Sequence, residues 1–280
     1  MTCKIVAEIS ANHLGSYERA LRLVETAAAI GADCVKFQTF TPEQMVDEGL
    51  VLDTGPWAGR KAIDLYREAH TPRGWHKQLF ERARELGLTP FSSVFHPDDV
   101  AFLETLDCPI YKISSFEITD TDLISAAART GKPIVISTGM ATEGEIRRAA
   151  IAADPSPHLT LLKCTSAYPA DASDANLISM QRLGEFPRCR AFGLSDHIPG
   201  IGVAVAAVAL GASMIEKHMT LRRADGGPDA AFSMEPEEFA QLVTECRRAA
   251  AAIGEVRYGP TAAEQASLAM RRSPGGKRGS

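Results

Sequence analysis

The sequence predicts a single (β/α)8 TIM barrel of the α/β class, and three observations carry that prediction. Short apolar runs rich in β-branched residues alternate with longer helical stretches along the chain, the pattern of parallel βαβ construction. There are eight such runs, whereas an open doubly wound sheet more often uses about five or six strands with a glycine fingerprint after the first. Here the first run leads into Ala11-Asn12-His13-Leu14-Gly15, which is no such fingerprint. Finally, a chain of 280 residues fits one barrel, because barrels of this kind hold about 250 residues as one unit. The expected division is a barrel over residues 1–257, a helical extension over 258–273 and a disordered tail over 274–280.

The strands are expected at Ile5 to Ser10, Cys34 to Gln38, Pro90 to Val94, Ile110 to Ser114, Pro133 to Thr138, Leu159 to Thr165, Ala191 to Ser195 and Ser213 to Lys217. Between them the helical period runs over Tyr17 to Ile30, Pro72 to Leu86, Pro97 to Leu106, Asp120 to Arg129, Glu143 to Ala152, Gly200 to Leu210 and Pro236 to Ile253. Pro72 and Pro97 stand where proline is tolerated in a first turn. Gly31, Gly87 and Gly131 follow helical stretches, where a left-handed residue ends a helix. One connection breaks the rhythm. Thr39 to Ala69 is too long for a simple βα loop and carries Gly55, Trp57, Gly59 and several charges, so it is expected to form part of the active-site rim.

Composition narrows the function classes. A chain 45% hydrophobic and 23% charged is ordinary globular usage, which excludes collagen-like, disordered and disulfide-scaffold readings. A net charge of −5 gives no electrostatic footprint for nucleic acid or an anionic membrane. The six cysteines form no CxxC pair and no metal-type spacing, so most of them read as small buried hydrophobes in a reducing compartment. With no cationic, apolar leader, the expected location is the cytoplasm. The uncharged stretch Ile198 to Ala212 falls short of the ~20 residues that span a bilayer and reads as an internal barrel helix.

In a TIM barrel the reacting groups come from the C-terminal ends of the strands. Those ends carry Glu8; Lys36 and Gln38; Ser93; Lys112 and Ser115; Ser137 and Thr138; Thr165 and Ser166; Ser195 and His197; and His218. A buried ammonium is costly without an anion. Lys36 and Lys112 converging among Ser115, Ser137 and Ser195 therefore suit a phosphate or carboxylate ligand, with a Schiff-base lysine as the rival reading. His197 and His218 end adjacent strands, about 5 Å apart, and could share one divalent ion with Glu8 nearby. Mn, Co or Zn suits such donors and Mg is open; a general base with its orienting partner is the alternative. Of the paired arginines, only Arg222-Arg223 directly follows a strand, and it is placed near the mouth.

These residues carry a resemblance. Ala7-Glu8-Ile9-Ser10-Ala11-Asn12-His13, Val35-Lys36-Phe37-Gln38-Thr39, Tyr111-Lys112-Ile113-Ser114-Ser115-Phe116-Glu117, Ile136-Ser137-Thr138-Gly139-Met140, Gly193-Leu194-Ser195-Asp196-His197 and Glu216-Lys217-His218 resemble the sialic acid synthase family, in consistent order over residues 5 to 272. Ser115-Phe116-Glu117-Ile118-Thr119-Asp120, Leu65-Tyr66-Arg67-Glu68-Ala69 and Lys163-Cys164-Thr165-Ser166-Ala167-Tyr168-Pro169 are most similar to the pseudaminic acid synthases of that family.

The resemblance implies condensation of phosphoenolpyruvate with the open-chain form of a 2,4-diacetamido-2,4,6-trideoxyhexose, giving a nine-carbon 3-deoxy-2-ketoacid and phosphate. Sialic or legionaminic acid synthesis, or an idle barrel that binds a partner, are the alternatives. It implies that Lys36, Lys112, Ser115, Ser137 and Ser195 hold phosphoenolpyruvate with help from Ser93, and that His197 and His218 bind a divalent metal, manganese first. Glu8 would lie near that metal and position or deprotonate the attacking water, Gln38, Glu117, Tyr168 and Asp229 would face the sugar, and Ser166 is a further expected substrate-binding residue. Two departures stand out. Ser92-Ser93-Val94-Phe95 lacks the proline that the family commonly has at the third strand. Bacterial relatives also continue past Met270-Arg271-Arg272-Ser273 into an antifreeze-like domain that closes the partner's site in a homodimer. Either this is a short member, its lid is a separate protein, or it is a piece of a longer chain.

Overall fold

The structure is a computed structural model and describes residues 3–53 and 57–272. Eight parallel strands close into one barrel in chain order: β1 Lys4–Glu8, β2 Cys34–Thr39, β3 Thr89–Val94, β4 Tyr111–Ile113, β5 Ile134–Ser137, β6 Leu159–Cys164, β7 Cys189–Asp196 and β8 Met214–His218. β1 pairs with both β2 and β8, so no strand edge is left.

The outer helices are α1 Tyr17–Ala29, α4 Arg73–Glu85, α5 Pro97–Glu104, α6 Thr121–Ala128, α7 Glu143–Ala152, α8 Leu177–Arg182, α9 Gly202–Ala209 and α10 Pro236–Ile253. Their starts are set by local chemistry. Ser16 accepts from the Arg19 N–H, Asp120 accepts from the Leu123 N–H, and Thr142 with Glu145 forms a capping box. Gly31, Gly87 and Gly131 take φ of +82°, +81° and +70°, as expected of residues that end a helix in a left-handed turn. α10 packs on α9, and Arg247 at its far end donates to the Gly31 carbonyl, tying the last helix to the first βα unit.

Three expectations need correction. β1 stops at Glu8; Ser10 takes φ +46° and opens a 3-10 turn over Ser10–His13, because its hydroxyl is drawn to Asp229 instead of continuing the pleat. β4 is also shorter than expected at three residues, so Ser114 and Ser115 reach the barrel mouth from a loop. The connection after β2 is no open loop: α2 Pro42–Met45 and α3 Ala62–Ala69 fold within it, held by a bridge between Val51 and Lys61. Gly55 lies outside the described residues, as do 274–280. Beyond α10, residues 254–272 contain a 3-10 helix, Ala262–Met270, and bury none of their side chains. Among the described residues no helix is long and apolar enough to cross a membrane.

The apolar core lies between the strands and the helices, and inward positions follow a period of two along each strand. Lys217, which faces outward between His218 and Glu216, is buried as well, but its ammonium binds Asp196 of β7 at 2.7 Å. Contact between β7 and β8 is tight at Gly193, where a Cβ would stand 2.1 Å from the Met214 carbonyl oxygen. Gly193→Ala must therefore spread two paired strands, and we expect a loss of about 1–3 kcal/mol, read as a fall of several degrees in melting temperature. An unchanged melting temperature would show that the barrel relaxes there freely.

Candidate active site

The C-terminal ends of the strands enclose a cavity of about 340 Å³. Its floor is built from inward residues that the register sets side by side: Glu8 beside Lys36 and His218, Gln38 beside Ser93, Ser93 beside Lys112, and Ser195 beside Glu216. Of the residues expected to form a site, Lys36, Gln38, Ser93, Lys112, Ser115, Glu117, Ser137, Tyr168, Ser195, His197, His218 and Asp229 all line this one cavity.

Glu8 and Ser166 do not line it. Glu8 is completely buried beside Lys36 and His218, accepting from Gln38 Nε2 at 2.9 Å and lying 3.3 Å from Lys36 Nζ, so its neighbours cover it from the cavity. Ser166 turns toward Gly139, where a Cβ would stand 2.2 Å from its Oγ. Thr138 and Thr165 also face away, donating to the carbonyls of Leu162 and Asp174. Arg222 and Arg223 point outside the cavity, the first paired with Asp225 and the second with Glu235 and Glu238.

The lysines are held by different means. Lys36 Nζ lies 2.9 Å from Glu216 Oε1; burial opposes its charge, but Glu216 and Glu8 hold its pKa above the ordinary value. Lys112 Nζ donates to Ser137 Oγ at 2.7 Å and to the Ile113 carbonyl, and its nearest carboxylate is Glu216 at 4.0 Å. Burial therefore brings Lys112 down to about 8. An anion arriving on the floor would supply the partner that Lys112 lacks.

The carboxylates divide in the same way. Burial pushes Glu8 up to about 7, although Lys36 pulls against it. Glu216 is just as buried, but Lys112 and Lys36 outweigh that cost and hold it at about 2. Glu216 is thus the permanent counterion of the floor, and it also accepts from Ser195 Oγ at 2.9 Å. Reading strand ends alone missed it. The signal was present, since a strand whose inward residue is His218 must also point Glu216 inward.

At the edge of the floor the rings of His197 and His218 lie 5.3 Å apart. The Nδ1 of His197 is 3.1 Å from the Thr165 carbonyl, which fixes its orientation. The Nδ1 of His218 is buried with no hydrogen-bond partner among the described residues, and Asp229 Oδ2 is 3.8 Å away. Burial and the neighbouring His197 keep His218 neutral, its pKa well below the ordinary value. Two neighbouring imidazoles, one oriented by a carbonyl and the other with a bare buried nitrogen, suit a divalent cation. Among the described residues no three His, Cys, Asp or Glu side chains gather as a ligand set.

Cys164 of β6, which sequence reading placed among inert buried cysteines, also lines the cavity, with Sγ 3.8 Å from His197 Nδ1. Burial would raise its pKa, yet the contact with His197 brings it down to about 7. The other flank is polar and self-bonded: Gln38 donates to Ser10, Ser10 to Asp229, and Ser114 to Glu117. Above the histidines Tyr168, Trp57 and Phe232 pack together, and Trp57 Nε1 donates to the Pro228 carbonyl at 3.0 Å.

Comparison with known proteins agrees with this geometry. The sequence model of the NeuB family matches residues 23–258. The chain is 45% identical to the pseudaminic acid synthase of Helicobacter pylori, over 90% of this chain and 76% of that protein. It is 41% identical to the pseudaminic acid synthase of Campylobacter jejuni, over 90% and 75%. The N,N'-diacetyllegionaminic acid synthase of Legionella pneumophila is 37% identical, over 93% and 76%. Among solved structures, an N-acetylneuraminic acid synthetase from Leptospira borgpetersenii in complex with citrate superposes with a TM-score of 0.86 at 33% identity, covering 96% of this chain and 90% of that one.

The unequal ionisation of the two floor carboxylates can be checked by stability. Glu216→Gln strands a buried ammonium, and we expect a loss of about 3–5 kcal/mol in urea unfolding at pH 7. Glu8→Gln, at a carboxyl that already takes up a proton near neutral pH, should cost only about 1 kcal/mol. Equal losses would contradict the assignment.

Proposed function

The chain belongs to the NeuB family, and from that premise we propose that it condenses phosphoenolpyruvate with the open-chain aldehyde of a 2,4-diacetamido-2,4,6-trideoxyhexose, forming pseudaminic acid and phosphate. The observation that carries this reading is the floor itself: two buried lysines among serine hydroxyls, beside two neighbouring histidines at the edge of one cavity. The greater identity to pseudaminic than to legionaminic acid synthases favours the choice of sugar.

In the reaction, C3 of the enol attacks the aldehyde carbon, hydroxide from water adds at C2, and the water's proton is taken up by the new alkoxide. The C2 hydroxyl then gives its proton to the departing phosphate as the C2–O bond to phosphate breaks, leaving a ketone. Lys112, Ser115, Ser137 and Ser195 hold the anionic substrate by charge and hydrogen bonds, with Lys36 fixed by Glu216 beneath it. Ser93, beside Lys112, adds a hydroxyl. Glu8 acts by holding Lys36 and Gln38. Gln38, Glu117, Tyr168 and Asp229 face the sugar. His197 and His218 would hold a divalent metal, manganese first, which supplies Lewis acidity at the aldehyde oxygen. Ser166 supports the site by packing against the Gly139 turn.

Phosphate release from phosphoenolpyruvate, followed with manganese and a panel of amino sugars, tests the reading. We expect turnover with the diacetamido-trideoxyhexose, lost on chelation. Replacing either His197 or His218 with alanine should lower it by at least about tenfold. Absence of turnover with every sugar would sink the condensation. A lysine adduct trapped by borohydride with pyruvate would favour Schiff-base chemistry instead.

A further inference from the structure

The excursion between β2 and α4 is two-sided. Toward the cavity it turns Phe40, Met45, Val46, Leu50, Leu52 and Leu65. Away from the cavity its charges pair with one another, Arg60 with Glu68 and Arg67 with Glu43, Glu48 and Asp64. A polar floor therefore stands under an apolar roof supplied by the same chain. Met45, Val46, Leu50 and Leu52 are not part of the hydrophobic core, and Leu50 is 48% exposed although its side chain lines the cavity. Apolar side chains left open to a concave site are the surface that a ligand covers.

The roof is also poor in hydrogen-bonding groups. Among its described side chains facing the cavity, only Trp57 and Tyr66 carry a polar atom, and Trp57 Nε1 is already engaged by Pro228. A hydroxyl pressed against this surface would give up water and find little in return. A methyl group would lose nothing and bury apolar area.

On this basis, and resting on the condensation reading above, we propose that the roof sets the acceptor specificity of the site, with Leu50, Leu52 and Leu65 as the determinants that take the methyl-bearing end of the sugar. The floor fixes the orientation. The anionic substrate occupies the lysines, the aldehyde end lies at the histidines, and the far end of the acceptor rises into the roof. Discrimination between a 6-deoxy and a 6-hydroxy sugar is then made by residues of the excursion and not by the strand ends.

Calorimetric titration of the full chain with manganese, and without phosphoenolpyruvate so that nothing turns over, tests this. The two probes are a 2,4-diacetamido-2,4,6-trideoxyhexose and the same sugar carrying a 6-hydroxyl. We expect the methyl sugar to bind on the order of 10- to 100-fold more tightly. The double variant Leu50→Ser with Leu52→Asn should reduce that ratio by roughly tenfold, and Leu52→Met should preserve it. Equal affinities in the native chain, no binding of the methyl sugar, or an unchanged ratio in the double variant would each overturn the proposal. Phosphate release, measured separately with phosphoenolpyruvate added, decides the condensation reading: its absence with both sugars would defeat that reading while the affinity ratio still judges the roof.

Discussion

The ion pair between Lys36 and Glu216, 2.9 Å apart and almost wholly buried, is the interaction around which the site is organised. A closed barrel has no solvated edge on which to place a charge, so each ammonium turned inward must find an anion or a hydroxyl in the same layer. Lys36 finds Glu216 and Glu8. Among the described residues Lys112 finds Ser137 and a carbonyl at hydrogen-bond distance, and no carboxylate. That imbalance is what makes the floor receptive, because the protein satisfies one cation fully and leaves the other for its ligand. The gain in affinity for an anion is offset by the cost of keeping Lys112 buried without a close carboxylate.

The division between floor and roof follows from how each part is built. Strand ends are fixed by eight shared ladders, and small displacements there would disturb the register of neighbouring strands. They carry the groups whose distances matter for bond making. The excursion after β2 is instead tied to the barrel by side-chain contacts, the Trp57 hydrogen bond to Pro228, the Trp57 ring against Tyr168, Phe40 against Phe95 and His13 against the Ala69 carbonyl. Its side chains can differ between related barrels without touching the floor, a suitable place for selecting one sugar over another.

The fold was legible because alternation of strand and helix repeats over the whole chain, and α10 was read to the residue because Pro236 and Gly254 bracket its helical period. The site was legible where a charged or imidazole side chain interrupts an apolar strand, as Lys36, Lys112 and His218 do. Legibility failed where depth or side-chain direction decides the role. Glu8 marks a strand end but is covered by its partners Lys36 and Gln38, and Ser166 lies past a strand end but turns aside. Glu216 was overlooked because Lys217 beside it is the same kind of residue as the floor lysines, although it faces outward to Asp196. The helices α2 and α3 were missed because they are short and their apolar face meets a cavity instead of the core.

Closure of the barrel by pairing of β1 with β8 has a consequence for how the molecule is made. Glu8 and Lys36 are synthesised early and Glu216 near the end of the barrel, so for most of translation a nascent chain carries the lysine without the fully ionised partner that completes its pairing. Until β8 arrives, that ammonium is better off hydrated, which penalises any compact state that buries β2 too soon. The buried pair that organises the site thus ties the stability of a sealed interior to the arrival of the last strand.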